Sequence, residues 1–238
     1  MRAALLAVAL APGLAAAQTD PELFAADNVI ATLYHELGHA VVDLGLLPVF
    51  GQEEDAADSF SIVLIDAFYD EPDATELMDS VLDMWAVSAA EEMDDPAYWA
   101  AHDPSIRRRF SHICLFAGAD LDGRGDWAID RGLPEERLGE CEEEFALAAD
   151  SWGGVLDEMA GQGTMVFVPG GGADLASDIT NDILEEEVAF LNDGLALPMP
   201  LDLRVEDCGE ANAFYDPSVP EIVMCTEYTD WFLEIAPD

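Results

Sequence analysis

The sequence predicts an α+β fold, mostly helical, with a small antiparallel sheet near the C-terminus. Apolar residues recur at helical spacing through the first two-thirds of the chain, and short strand-like runs replace them after Gly161. With 238 residues, 51% of them hydrophobic, the chain can bury a real core.

The first seventeen residues read as an export signal: Arg2 supplies the positive end, Leu5 to Leu10 the apolar run and Ala15-Ala16-Ala17 a small-residue cleavage site. The run is too short for a permanent membrane anchor, and no cysteine follows the cleavage site to carry a lipid. The expectation is a mature protein, residues 18–238, exported to the periplasm or beyond. It is expected to form one domain, with a helical part over 22–160 and a mixed α/β part over 161–238. Ile30, Leu33, Leu37, Ala40 and Leu44 form one apolar stripe, predicting a helix from Leu23 to Leu44 that Gly45 stops. A second helix, Glu53 to Phe68, turns Phe60, Val63, Leu64 and Phe68 inward after a short apolar link. Further helices are predicted at Ala74–Met93, Pro104–Phe116, Glu135–Glu158 and Leu175–Leu191. Met165–Val168, Leu201–Val205 and Glu221–Cys225 read as strands, with a turn at Asp216–Pro220 before the last.

Chemistry concentrates in His35-Glu36-Leu37-Gly38-His39. Residues i and i+4 share a helix face, so His35 and His39 can grip one metal ion with Glu36 beside it. On a helical wheel both histidines fall nearly opposite the apolar stripe. The second helix offers Glu53, Glu54 and Asp58. Glu54 is preferred as third ligand, because Asp58 one turn later can then hydrogen-bond the far ring nitrogen of a ligating histidine. Asp58 as direct ligand stays open. Two imidazoles, one carboxylate and an open position are the parts of a catalytic zinc site, with Glu36 as general base.

Composition narrows the partners. Fifty-one acidic residues stand against eight basic ones, all arginine, for a net charge of −43. Such a surface repels nucleic acid and anionic membranes, so neither is an expected partner; the zinc-site reading instead makes a peptide or protein substrate the expected one. Oligomeric state is not legible. Arg107-Arg108-Arg109 is expected to pair with local carboxylates, and Asp120–Asp126 to be a polar turn rather than a calcium loop. The four cysteines fit an oxidising compartment. The local pairing Cys114–Cys141 and Cys208–Cys225 is preferred, although sequence alone does not choose among three connectivities.

The helical H-E-x-x-H followed by E-x-x-x-D, His35 to Asp58, resembles gluzincin metallopeptidases. The runs LYHELGHAVVDLGLLPVFGQEEDAAD, LPEERLGECEEEFALAADSW and CGEANAFYDPSVPEIVMCTEY resemble a bacterial family of metallopeptidase-like proteins of unknown function. These resemblances imply a zincin-like core and zinc-dependent peptide hydrolysis. Some zinc peptidases also bind the substrate backbone with an N-A-x-x edge strand, which Asn212-Ala213-Phe214-Tyr215 is similar to. There the strand precedes the metal helix, whereas here it closes the chain, so residues 208–235 are expected to dock beside the His35 helix in a rearranged order. Asn212 and Ala213 are therefore candidate substrate-binding residues. Tyr215 is the candidate oxyanion donor, with His112 as an alternative, and an ordinary structural role stands against each. Two other readings remain open: an exported binding or assembly protein with a structural zinc, and a zinc amidase acting on cell-wall fragments.

Overall fold

Helix α1 (Pro21–Leu44) runs through the middle of the protein, touching six other elements along its length. The computed structural model describes residues 20–237, so the predicted export signal lies outside it. Eight helices and four strands occur among the described residues. Asp20 caps α1 by accepting a hydrogen bond from Glu22 N, and Pro21 presets the first helical φ. Helices α2 (Glu53–Phe68), α3 (Glu71–Glu92), α7 (Leu175–Asn192) and α8 (Thr226–Ile235) pack around it, and strand β3 (Ala213–Asp216) lies alongside. Buried residues consequently lie on every side of α1, including Tyr34, His35, Glu36 and Val41. The histidine face, opposite the apolar stripe, is covered as well, because α1 is a central helix rather than a surface one.

The α1–α2 contact is unusually close. A Cβ added at Gly38 would lie 3.0 Å from Ala57 Cα and 3.3 Å from Ala57 Cβ. Helix α4 (Ser105–Ala119) meets α6 (Glu135–Glu158) as tightly at Gly118, next to the Cys114–Cys141 disulfide. The second disulfide, Cys208–Cys225, fastens the segment after β2 to the end of β4. Both are the local pairings. A charge network closes the outer side: Arg124 bridges Asp66 of α2 and Glu71 of α3, and Arg131 pairs with Asp79.

The sheet differs from expectation. Its order is β1–β2–β4–β3, with β1 (Met165–Val168), β2 (Leu201–Glu206) and β4 (Glu221–Cys225) parallel and only β3 antiparallel to β4. Parallel neighbours need a crossover, and α7 supplies one between β1 and β2. The chain then passes β2, forms edge strand β3, and turns back to place β4 between them. Two helices also stand where the sequence predicts none. Asp120 does not turn the chain but caps α5 (Leu121–Asp130), accepting from Gly123 N. Gly123 and Gly125 lower the intrinsic helix propensity and hide it. Helix α8 follows β4 with no intervening turn residue, so the period changes without punctuation.

Candidate metal centre

Four residues of α1 and α2, His35, His39, Glu54 and Asp58, meet because Gly38 and Ala57 let the two helix backbones touch within one turn of each of them. His35 Nε2 and His39 Nε2 lie 3.3 Å apart. Glu54 Oε2 sits 3.3 Å from the first and 3.5 Å from the second. One ligand atom from each residue thus falls within 4.8 Å of the others, and three side chains could hold one ion. Three imidazole nitrogens, counting His102 Nε2 at 2.7 Å, surround Glu54 Oε2, yet this buried oxygen has no aligned hydrogen-bond donor. Two facing lone-pair nitrogens and an orphaned carboxylate oxygen aimed at one point are the donor set a divalent cation satisfies.

Each ring is backed by a carboxylate. Asp58 Oδ1 lies 2.8 Å from His35 Nδ1, an ion-pair approach whose angle falls short of an in-line hydrogen bond. Asp58 is itself fixed by Arg108, whose Nε and Nη2 donate to its two oxygens at 2.8 and 2.6 Å. Glu53 Oε1 stands 2.8 Å from His39 Nδ1. Sequence reasoning set Glu53 aside, though a second ligating histidine needs a partner as much as the first. His102 was also missed. It projects from the segment between α3 and α4, where no periodicity marks it, and only folding brings it to Glu54.

The electrostatics follow from burial against partners. Burial opposes it, but the imidazoles of His102, His35 and His39 hold the Glu54 carboxyl far below its ordinary range. Burial likewise opposes the ionised form of Asp58, and Arg108 overcomes it, keeping Asp58 strongly acidic. Burial would lower the His35 imidazole, but Asp58 and Glu54 push it up to about 9. A cation at the centre would therefore displace a proton.

Glu36 and His35 line two adjoining spaces. One is an open cleft of about 780 Å³ over the metal-centre residues, and the other a smaller interior cavity. Asn212 and Ala213 line both, so the edge strand β3 runs along the cleft beside the His35–Glu36 turn of α1. Tyr215 borders the cleft, but its hydroxyl donates to Asp43 Oδ2 at 2.8 Å, and burial with this carboxylate pushes the phenol up. His112 is fully enclosed behind the site, and its Nδ1 contacts the Arg108 carbonyl at 2.8 Å. Burial holds that ring neutral. Of the arginine run, Arg107 and Arg108 pair with Asp103 and Asp58, while Arg109 donates to backbone carbonyls.

Residues 12–156 and 176–236 match the DUF4344 family, described as "Putative metallopeptidase". The chain belongs to this family. The match includes His35, Glu36, His39, Glu54, Asp58 and residues 212–215. No curated protein and no solved structure matches the chain.

Proposed function

We propose that the protein is an exported, zinc-dependent metallopeptidase that hydrolyses peptide bonds in an extended substrate. The observation that carries this reading is the convergence of His35, His39 and Glu54 on one point, with Glu36 between the two histidines and facing a cleft. Two nitrogens and one carboxylate oxygen suit zinc and leave a position open. Zinc, when bound, supplies a Lewis acid and lowers the pKa of a coordinated water toward about 7.

The chain's own residues do the rest. Glu36 accepts the proton of the attacking water and passes it to the leaving amine. Asp58 and Glu53 hold the two imidazoles in the orientation that turns Nε2 inward, and Arg108 keeps Asp58 ionised. Strand β3 is the sheet edge, with main-chain groups free to add an extended peptide as a further strand. Asn212 and Ala213 set its register, and Tyr215, which lines the cleft and must release Asp43 to do so, is the candidate oxyanion donor. Two disulfides agree with export, and among the described residues no helix is long and apolar enough to cross a membrane.

A second reading, a non-catalytic exported protein that keeps zinc for stability, draws on His102, a third imidazole nitrogen beside Glu54. Paired substitutions separate the two. Glu36→Gln is expected to keep one bound zinc per chain, measured by elemental analysis, and to abolish cleavage of an unfolded protein. His35→Ala is expected to lose the metal. A wild type that binds zinc but cleaves neither a broad peptide library nor cell-wall amides would sustain the structural reading instead.

A further inference from the structure

The interior cavity behind Glu36 has the features of a ligand pocket that the metal chemistry does not use. Its volume is about 110 Å³, room for several waters or one medium side chain. Its walls come from α1, α2, α3, α4 and α8, and it shares His35, Glu36, His102, Asn212 and Ala213 with the open cleft. Anything entering it therefore passes the atoms proposed to carry out hydrolysis.

Its polar lining is unbalanced. Trp85 is 9% exposed and lines the cavity, and its Nε1 is buried with no hydrogen-bond partner. An orphaned buried donor is rare in a folded protein and is where an incoming acceptor gains most. The Arg108 guanidinium stacks 4.0 Å over the Trp85 ring and spends its Nε and Nη2 on Asp58. Beside Trp85, with ring centroids 5.7 Å apart, His112 points Nδ1 at the Arg108 carbonyl, an acceptor, so the proton sits there and Nε2 carries a lone pair. Ser61 donates to the Ala31 carbonyl at 3.0 Å, leaving its oxygen lone pairs as acceptors. The wall thus holds both a donor without a partner and acceptors to spare. A carboxylate finds no free guanidinium, because Arg108 is already paired with Asp58, and it meets the Glu36 carboxylate at the mouth.

We infer that this cavity receives the side chain next to the scissile bond and selects an uncharged amide, glutamine or asparagine. The side-chain carbonyl accepts from Trp85 Nε1, and the side-chain NH2 donates to His112 Nε2 or Ser61 Oγ. Leucine leaves Trp85 unpaired, and glutamate brings a second carboxylate against Glu36. The inference rests on the hydrolase reading only for the cavity's place beside the scissile bond; the pocket's selectivity is a binding property and is tested as one.

The test is binding of N-acetyl-glutaminamide, N-acetyl-leucinamide and N-acetyl-glutamate amide to the metal-loaded wild type, followed by saturation-transfer NMR, with Trp85→Phe as comparison. The glutamine probe is expected to bind about tenfold more tightly than either other probe, and Trp85→Phe to erase most of that margin. Should Trp85→Phe fail to fold, the margin is instead read in Ser61→Ala, which removes an acceptor and is expected to narrow it. Equal affinity for the three probes, no binding by any of them, or a margin that survives the substitution overturns the pocket assignment. Selective binding in a protein that cleaves no peptide sustains the pocket and removes the peptidase reading, so the two fail separately.

Discussion

Gly38 is the residue on which the metal centre depends without contributing a ligand. Alanine there would place its Cβ 3.0 Å from the Ala57 backbone and 3.3 Å from the Ala57 and Phe60 Cβ atoms. Backbone cannot swing aside as a side chain does, so α1 and α2 must separate by a few tenths of an ångström. Two stability effects oppose each other. Alanine favours the helix interior by about 1 kcal/mol over glycine, and overpacking of this kind costs about 1–3 kcal/mol. Gly38→Ala is thus expected to fold, with a net loss of up to about 2 kcal/mol in thermal or denaturant unfolding. The metal suffers more, because His35 and His39 ride on α1 and Glu54 on α2, and ligand distances tolerate only about ±0.2 Å. Zinc affinity, read by competition with a chromophoric chelator, is expected to fall at least about tenfold. Ala57→Gly removes one of the three contacts and is expected to restore part of the loss. Unchanged zinc affinity in Gly38→Ala would refute the claim that this helix contact sets the ligand geometry.

Two further outcomes follow from the buried charges. Asp58→Ala leaves Arg108 buried without its carboxylate and His35 without its backing group, and is expected to cost about 3–5 kcal/mol in unfolding and about 10–100-fold in zinc affinity. Chelator titration and a denaturant melt on the same preparation check both parts. Asp27 accepts from Ser80 Oγ at 2.6 Å, and burial, helped by Glu76 and Asp73 against that hydrogen bond, raises its carboxyl to about 7. Its folded pKa exceeds its unfolded one, so its stabilising share is complete below about pH 4 and is lost as pH rises through about 7. Asp27→Asn is expected to flatten that part of the stability profile and to raise the melting temperature at pH 8, measured across pH 4 to 8 by calorimetry. An unchanged pH profile would refute the assigned titration.

Much of the site was written locally. The i, i+4 spacing of His35 and His39 and the turn from Glu54 to Asp58 are periodic facts that survive without knowing the fold. The helices α2 and α6 and the strands β1 and β4 match their predicted bounds for the same reason, since apolar period and punctuation agree there. Helix α5 did not show because its glycines dilute the pattern, and α8 because no turn residue separates it from β4. The parallel pairing in the sheet was invisible because a strand's own residues do not say which neighbour it will meet.

What the sequence determined by itself is the ligand set's chemistry and its spacing along two helices, since α-helical geometry is the same in any protein. Only the tertiary structure decided which groups from afar complete it. Arg108 behind Asp58, His102 over Glu54, Trp85 in the inner cavity and Asn212 just ahead of β3 arrive from four separate segments. Their positions come from packing around α1 and from the Gly38–Ala57 contact, a balance of many weak interactions with no local signature.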